Sequence, residues 1–137
     1  MATRSTIAIK HDDGTIRVIY CHWDGYPSNN GRILLEHYNT PEKINALLDL
    51  GAVSILAPSM QCPAGHTFDT QKDGYTVFYI RDRGESEAVC KAAVLPNEKE
   101  YNKTGEEYNY LFKNGKWTVK GNEFARRVVL TAKHCKK

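Results

Sequence analysis

The sequence predicts an α+β fold, in which an antiparallel sheet built from hairpins carries two to four helices packed mainly on one face. Three observations predict this class. Asp13-Gly14 and Asn114-Gly115 are dipeptides that favour tight type I′ turns, and each lies between segments in which apolar and polar residues alternate. Between residues 40 and 51 the apolar residues recur at helical spacing instead.

Length and composition indicate one folded domain over residues 1–137. Of the 137 residues, 41% are hydrophobic and 26% are charged, and single domains most often have about 100 to 150 residues. The net charge of +3 is too small an excess to indicate a nucleic-acid partner. The C-terminus is basic, and there we expect a solvated surface, through Arg126, Arg127, Lys133, Lys136 and Lys137.

The first residues and the cysteines both favour a cytoplasmic protein. Residues 1–6 lead directly into a segment in which apolar and polar residues alternate, without the apolar stretch of a signal peptide. No run of 18 apolar residues occurs, so no membrane span is expected. Cysteines stand at positions 21, 62, 90 and 135, and in a cytoplasm we expect them to be reduced thiols without disulfide bonds.

The first hairpin is predicted from the alternation that begins at Ser5. Two strands would flank a two-residue turn at Asp13-Gly14, with Asp12 opposite Thr15. Counting outward, this register pairs Ile7 with Tyr20, Ser5 with His22 and Arg4 with Trp23. One face would then carry Ile7, Ile9, Ile16, Val18 and Tyr20.

Two helices should follow this hairpin. Residues 24–31 are rich in turn formers, and residues 32–38 have the apolar spacing of a short helix. Thr40 and Pro41 have the residue types of an N-cap and a first helical residue, and Gly51 is typical of a helix end. Residues 58–73 show no clear period, so we expect an irregular loop.

The middle of the chain gives weaker patterns. Residues 75–80 are β-branched and aromatic, which favours a strand that ends at Asp82-Arg83-Gly84. Residues 86–94 fit either a short helix or a strand. Residues 96–107 are polar and charged, which indicates a surface loop.

The C-terminal third should begin with a second hairpin. Strands at 108–113 and 116–120 flank Asn114-Gly115. Residues 123–135 fit a helix, although Val128 and Val129 have strand propensity; we expect the helix. One face of the hairpin would carry Tyr110, Phe112, Trp117 and Val119.

The open end of the first hairpin is the candidate ligand site. A helix beginning near residues 29–32 would offer free N–H groups to an anion, arginines can bind phosphate, and aromatic rings can stack on a base. We expect no metal, no cofactor and no catalytic residue. The candidate ligand-binding residues are Arg4, Ser5, His22, Trp23, Asp24, Tyr26 and Arg32.

A structural role is the alternative for the same residues. Trp23 and Tyr26 would then attach the hairpin to the helix, Arg4 would lie over Trp23 as a cation–π pair, and Asp24 would cap a turn. Sequence alone leaves both interpretations open.

Two chemical alternatives have weaker sequence support. Cys62 and His66, with two further Cys-His doublets, supply zinc-ligating residue types, but they lack the paired spacing of structural zinc sites. A nucleophilic dyad would require Ser5 to lie opposite His22, as in the predicted register. No phosphate-binding loop, dinucleotide fingerprint or hydrolase motif occurs.

The first 85 or so residues resemble small uncharacterised accessory proteins of tailed bacteriophages. The resemblance is carried by Met1 to Ile9, by Tyr20-Cys21-His22-Trp23-Asp24-Gly25-Tyr26-Pro27, and by the segments 34–38 and 81–85. It implies a small protein at work in the host bacterial cytoplasm, where such proteins commonly bind and disable a component of host defence. Sequestration of a nucleotide immune signal is one such strategy.

The leading hypothesis is therefore a phage accessory protein that counters host antiviral defence by binding and sequestering a nucleotide-type signalling ligand. Two alternatives remain: an inhibitor that binds a host defence protein directly, and a small hydrolase that degrades a nucleotide signal. A homo-oligomer is possible in each case, whereas nucleic acid and membrane are not expected as partners.

Overall fold

A computed structural model describes residues 2–103 and 105–136, and within these ranges eight strands form a single sheet with five short α-helices. The predicted α+β class is confirmed. In chain order the elements are β1 Ser5–Lys10, β2 Ile16–Cys21, a π-helical turn Pro27–Gly31, α1 Arg32–His37, α2 Pro41–Asp49, β3 Val53–Ile55, β4 Val77–Phe78, α3 Tyr79–Arg83, α4 Glu87–Cys90, β5 Ala93–Leu95, α5 Glu98–Asn102, β6 Tyr108–Lys113, β7 Lys116–Gly121 and β8 Phe124–Val129.

The sheet is mixed rather than wholly antiparallel. Its strand order is β4-β3-β2-β1-β6-β7-β8, and β5 pairs with β2. The pairs β1–β6 and β2–β3 are parallel, and the remaining pairs are antiparallel. The parallel pairs join strands that are not connected by a hairpin, so the long intervening chain can return in either direction.

The predicted register of the first hairpin is wrong by one residue. The backbone N–H of His11 donates to the oxygen of Thr15 at 2.9 Å, which leaves a three-residue loop that ends at Gly14, with a φ of +90°. Ser5 therefore pairs with Cys21 instead of His22. The predicted Arg4–Trp23 pairing is also wrong, because the N–H of Trp23 donates to Ser54 on the β3 side.

This shift of one residue exchanges the faces of β2 relative to β1. Ile7 and Ile9 lie on the first face with Ile19, in the main core. Ile16 and Val18, predicted to share that face, lie on the second face with Ala8.

The first face of the sheet packs against α1 and α2, both of which the sequence predicted. The Oγ1 of Thr40 accepts a hydrogen bond from the N–H of Lys43 at 3.3 Å, so Thr40 is the N-cap of α2. Ile44, Leu47 and Leu48 point into the core. These helices and the sheet enclose the main core of the molecule.

The second predicted hairpin is confirmed. Lys113 pairs with Lys116 around Asn114-Gly115, whose φ angles are +52° and +74°. Tyr110 pairs with Val119 and Phe112 with Trp117, and all four side chains are buried on the first face.

In the middle of the chain, one predicted strand is shorter than expected and one open assignment is resolved. The strand predicted over residues 75–80 is limited to Val77–Phe78, and α3 begins at Tyr79. Residues 86–94, for which helix and strand were both open, form α4 and then the start of β5.

The surface loop predicted for residues 96–107 contains α5. The side chain of Tyr101 in this helix is fully buried against the second face. Helices therefore lie on both faces, with α1 and α2 on the first.

The prediction of a helix over residues 123–135 is wrong. The segment begins with β8, which pairs antiparallel with β7 and forms one edge of the sheet. Leu130 and Cys135 then fold over the first-face core in an irregular turn. The strand propensity of Val128 and Val129 prevailed over the helical spacing of the apolar residues.

Candidate functional site

Ser5 points into the first-face core and is separated from His22 by the sheet. Its Oγ accepts a hydrogen bond from the Nδ2 of Asn30 at 3.2 Å, and the same amide lies 3.3 Å from the Sγ of Cys21. Both Ser5 and Asn30 are fully buried. The Ser5–His22 dyad that the predicted register allowed is therefore wrong, because the two side chains lie on opposite faces.

His22 and Trp23 lie with Tyr20 at the end of the second face, and Arg4, the residue before β1, acts on the Tyr20 hydroxyl. The Tyr20 hydroxyl lies 2.6 Å from the Nδ1 of His22. The His22 ring meets Trp23 edge to face, with ring centroids 4.8 Å apart, and Trp23 is 40% exposed. The three rings form an aromatic ladder that leads from the sheet to the solvent.

The charges around the ladder act on the pKa of Tyr20. Burial raises the pKa of Tyr20, the positive charge of Arg4 opposes that rise, and Glu106 reinforces it. A cation and an anion thus both act on the tyrosine hydroxyl. A ligand that carries both an anionic group and hydroxyl groups would find partners for each there.

A groove over the second face begins at this ladder. Its volume is about 360 Å³, within the usual range of ligand pockets. The floor is mainly apolar, and Lys91 and Glu106 supply charges. We call it the Tyr20 groove; its lining comprises Thr6, Val18, Ile19, Tyr20, Ala52, Val89, Cys90, Lys91, Ala93, Leu95 and Glu106.

Asp24 and Tyr26 have local roles in the turn that follows β2. Asp24 has a φ of +55°, and the Tyr26 hydroxyl donates to its carboxylate at 3.4 Å. Between them, the N–H of Gly25 donates to the oxygen of Thr3, close against Ser5. The contacts of these two residues are therefore with each other and within this turn.

Arg32 lies on the other side of the sheet from the Tyr20 groove. Its Nε donates to the oxygen of Ser28, and its guanidinium lies 3.9 Å from the carboxylate of Glu36. The predicted anion site at the helix start is also absent, because the N–H of Arg32 already donates to Pro27 and Asn29 within the π-helical turn.

Sequence reasoning missed Tyr20, Lys91 and Glu106 as site residues. Tyr20 was assigned to the hydrophobic face, although its spacing of two from His22 places both side chains on one face in any register. Lys91 and Glu106 lie in segments without a clear period, so no sequence signal placed them near β2.

His66 belongs to a buried polar cluster, and the exposed Cys62 lies beside it, with its Sγ 3.5 Å from the backbone oxygen of His66. The Nδ1 of His66 accepts from the N–H of Lys72 at 3.0 Å, which leaves Nε2 to donate to the oxygen of Thr76 at 3.2 Å. Both ring nitrogens are therefore occupied. Within residues 2–103 and 105–136, no group of three or more His, Cys, Asp or Glu residues is arranged to hold a metal ion.

A cavity of about 500 Å³, larger than the Tyr20 groove, lies at the opposite end of the sheet, between the hairpin tips and α2. Two of its lining residues, Lys10 and Lys113, are cations. The carboxylate of Glu98 forms ion pairs with both, at 3.5 Å from the Nζ of Lys10 and 2.7 Å from the Nζ of Lys113. An anionic ligand there would have to compete with this carboxylate, which makes the Tyr20 groove the better candidate.

Comparison with known proteins gives no match: no family model, no curated protein and no solved structure matches the chain. In the described part of the chain, no helix has both the length and the apolar character that a membrane crossing requires. Function must therefore be inferred from the chemistry of the groove.

Proposed function

We propose that this protein binds a small nucleotide-type ligand in the Tyr20 groove, and that it sequesters a signalling nucleotide of bacterial antiviral defence as a phage accessory protein. The observation that carries the proposal is the aromatic ladder from Tyr20 through His22 to the half-exposed Trp23, beside a groove of ligand size. Stacking of one base on an aromatic side chain contributes about 1 to 3 kcal/mol.

The charges of the groove suit the other parts of a nucleotide. Arg4 and Lys91 form no ion pair with any described residue, so both remain available for phosphate. The carboxylate of Glu106 can accept hydrogen bonds from ribose hydroxyls. The apolar floor can cover the face of a base.

Sequestration suits the site better than turnover. Ser5, the candidate nucleophile, is buried on the opposite face of the sheet and bonded to Asn30. The resemblance of the first 85 residues to tailed-phage proteins supplies the setting, since such proteins commonly disable host defence in the cytoplasm.

Isothermal titration calorimetry with cyclic dinucleotides and ADP-ribose derivatives tests the proposal. We expect micromolar binding of at least one compound, and a loss of about tenfold or more in Trp23→Ala and in Arg4→Ala. Arg32→Ala is the matched control, because Arg32 lies on the other side of the sheet and its removal should leave affinity unchanged. No binding at high micromolar concentrations, or equal losses in all three variants, would contradict the proposal.

Direct binding of a host defence protein is the second candidate, and an exposed valine favours it. Val89, which lines the groove, is 81% exposed. An exposed apolar side chain beside a mainly apolar groove enlarges the apolar patch, and such patches often mark a protein interface. A pull-down from nuclease-treated host lysate that retains one protein, and loses it in Val89→Asp, would favour this candidate over the nucleotide ligand.

A further inference from the structure

The charges of the chain are strongly segregated along the sequence. Residues 113–137 contain eight lysines and arginines and one acidic residue, Glu123, which gives this segment a net charge of +7. Residues 1–112 contain eleven basic and fifteen acidic residues, which gives a net charge of −4. The small net charge of the whole chain conceals this asymmetry.

The fold concentrates the positive charge at one edge of the sheet. β7 and β8 are the last two strands in the sheet order, and β8 is the outermost. Arg127 and Lys113 are already engaged, with Asn102 and Glu98 respectively. Four exposed cations form no ion pair with any described residue: Lys116, Arg126, Lys133 and Lys136.

The outer side of β8 carries charge and also backbone groups that pair with no residue in the described part of the chain. The N–H of Leu130 donates to the oxygen of Trp117 at 2.9 Å, so this residue faces β7. Successive residues of an antiparallel strand direct their N–H and C=O groups alternately toward and away from the paired strand. The neighbouring Val129 therefore directs its N–H and C=O away from β7. At six residues, β8 is longer than β4 or β5, which have two and three.

Apolar side chains accompany the free backbone. Val128 is 37% exposed and Val129 is 47% exposed, next to the exposed Arg126. An added strand would place its side chains beside these valines and its backbone against the edge.

We propose that the free edge of β8 binds an extended acidic segment of a partner protein by strand addition. The unpaired backbone of β8 provides the hydrogen bonds, the valines provide apolar contacts, and the surrounding cations select acidic side chains on the incoming strand.

A second copy of the chain suits this edge poorly. Antiparallel pairing of two β8 strands would bring the exposed cations of both copies together along one seam, and like charges that face each other across a strand pair are destabilising. Positive charge on an edge strand blocks such self-association. Nucleic acid would satisfy the cations, but it would leave the valines and the backbone edge without partners, so an acidic polypeptide is favoured.

A fluorescent, acetylated peptide of about ten residues that alternates glutamate with valine is the probe, and its binding is measured by anisotropy with the full-length protein. We expect saturable binding that weakens several-fold as salt rises from about 0.05 to 0.3 M. In amide NMR spectra, the largest shifts should fall on β8. The matched peptide with lysine in place of glutamate should not bind.

Protein variants separate the backbone contribution from the charge contribution. Val129→Pro removes the outward N–H and leaves the hydrogen bonds to β7 in place, so it should abolish peptide binding, whereas Val129→Thr should retain it. Arg126→Glu, a surface change, should weaken binding about tenfold or more and would test the proposal even if the proline variant failed to fold.

Three results would overturn the proposal. The first is that the acidic peptide does not bind, and the second is that the lysine peptide binds equally well. The third is that a duplex DNA of about 20 base pairs binds more tightly than the peptide and displaces it. The last result would assign the basic edge to nucleic acid.

Discussion

At the scale of single residues, Asp82 shows how one carboxylate can organise an irregular part of the chain. Its oxygens accept hydrogen bonds from the N–H of Phe78 and the Nε of Arg81, both at 2.8 Å, and one lies 3.6 Å from the Nε2 of His66. The carboxylate is almost wholly buried. It thereby attaches the loop that contains His66 to the start of α3.

The first prediction follows from the titration of Asp82. Burial raises its pKa, but the hydrogen bonds from Arg81 and Phe78 and the charge of Arg81 outweigh burial and lower the pKa below the ordinary 3.8. The stability that this carboxylate contributes is therefore complete above pH 3.8 and is lost as the pH falls through the lower folded pKa. Asp82→Asn should lower the free energy of unfolding by about 2 kcal/mol at pH 7.

Urea denaturation between pH 7 and pH 2 checks this prediction. The difference between wild type and Asp82→Asn should shrink below about pH 4, because both then carry a neutral side chain. Asp69→Asn, at an exposed position in the same loop, is the control and should be nearly neutral. A difference that stays constant down to pH 2 would contradict the role assigned to the charge.

The second prediction contrasts two glycines. A Cβ at Gly25 would lie 2.7 Å from the Cβ of Ser5 and 2.8 Å from the oxygen of Thr3, so Gly25→Ala must displace β1 and should cost about 3 kcal/mol. A Cβ at Gly74 would meet open space, and only its φ of +84° opposes alanine, which should cost about 1 kcal/mol. Chemical denaturation of both variants tests this order, and equal losses would contradict it.

The residue types of the candidate site were predictable, but their arrangement was not. Arg4, His22 and Trp23 have residue types that can bind a nucleotide; His22 and Trp23 are in contact, and Arg4 lies near the Tyr20 hydroxyl that contacts His22. The register was not predictable because Gly14 provides a positive φ in both a two-residue and a three-residue loop, so this sequence is compatible with either loop length. One residue of difference moved Ser5 to the opposite face from His22.

At the scale of elements, the sequence predicted best where local chemistry alone decides the structure. The turn at Asn114-Gly115 and the cap at Thr40 are such cases, and both are confirmed. β8 and α5 depend on tertiary contacts instead. β8 exists because β7 offers an edge to pair with, and α5 is fixed by Tyr101, whose hydroxyl donates to the oxygen of Tyr110.

The third prediction tests the loop length of the first hairpin. Deletion of Asp12 leaves Asp13-Gly14 as a two-residue turn while His11 still pairs with Thr15, so the register of β1 and β2 is preserved. We expect the free energy of unfolding to change by less than about 1 kcal/mol. Deletion of Val18, within β2, should instead unfold the protein, because it reverses the faces of half of the strand.

Circular dichroism and thermal denaturation distinguish the two deletions. A folded protein after the Val18 deletion, or an unfolded one after the Asp12 deletion, would show that the loop does not determine the register in this way.

At the scale of the whole molecule, the sheet is held together from its centre. β1 lies between β2 and β6, and the second of these partners is more than ninety residues away in the chain. Ile7 pairs with Ile19 on one side and with Tyr110 on the other. Removal of the C-terminal third would therefore expose the middle of the sheet and not only its edge.

The fourth prediction follows from this central position. A fragment of residues 1–103 should lack cooperative thermal unfolding, because β1 loses β6 and the first-face core loses Tyr110 and Trp117. Circular dichroism and intrinsic fluorescence measure this, and in the full chain the two transitions should coincide. Addition of a peptide of residues 105–137 should restore structure to the fragment. A sharp transition in the fragment alone would contradict the prediction.

The parallel pairing of β1 with β6 also has a consequence during synthesis on the ribosome. β1 precedes β6 by about 100 residues, which at about 5 to 20 residues per second means a delay of roughly 5 to 20 s between their emergence. Throughout that interval the nascent hairpin of β1 and β2 exposes a backbone edge and the isoleucines of β1. Nascent chains are therefore most prone to aggregate, and most in need of chaperones, before β6 has been translated.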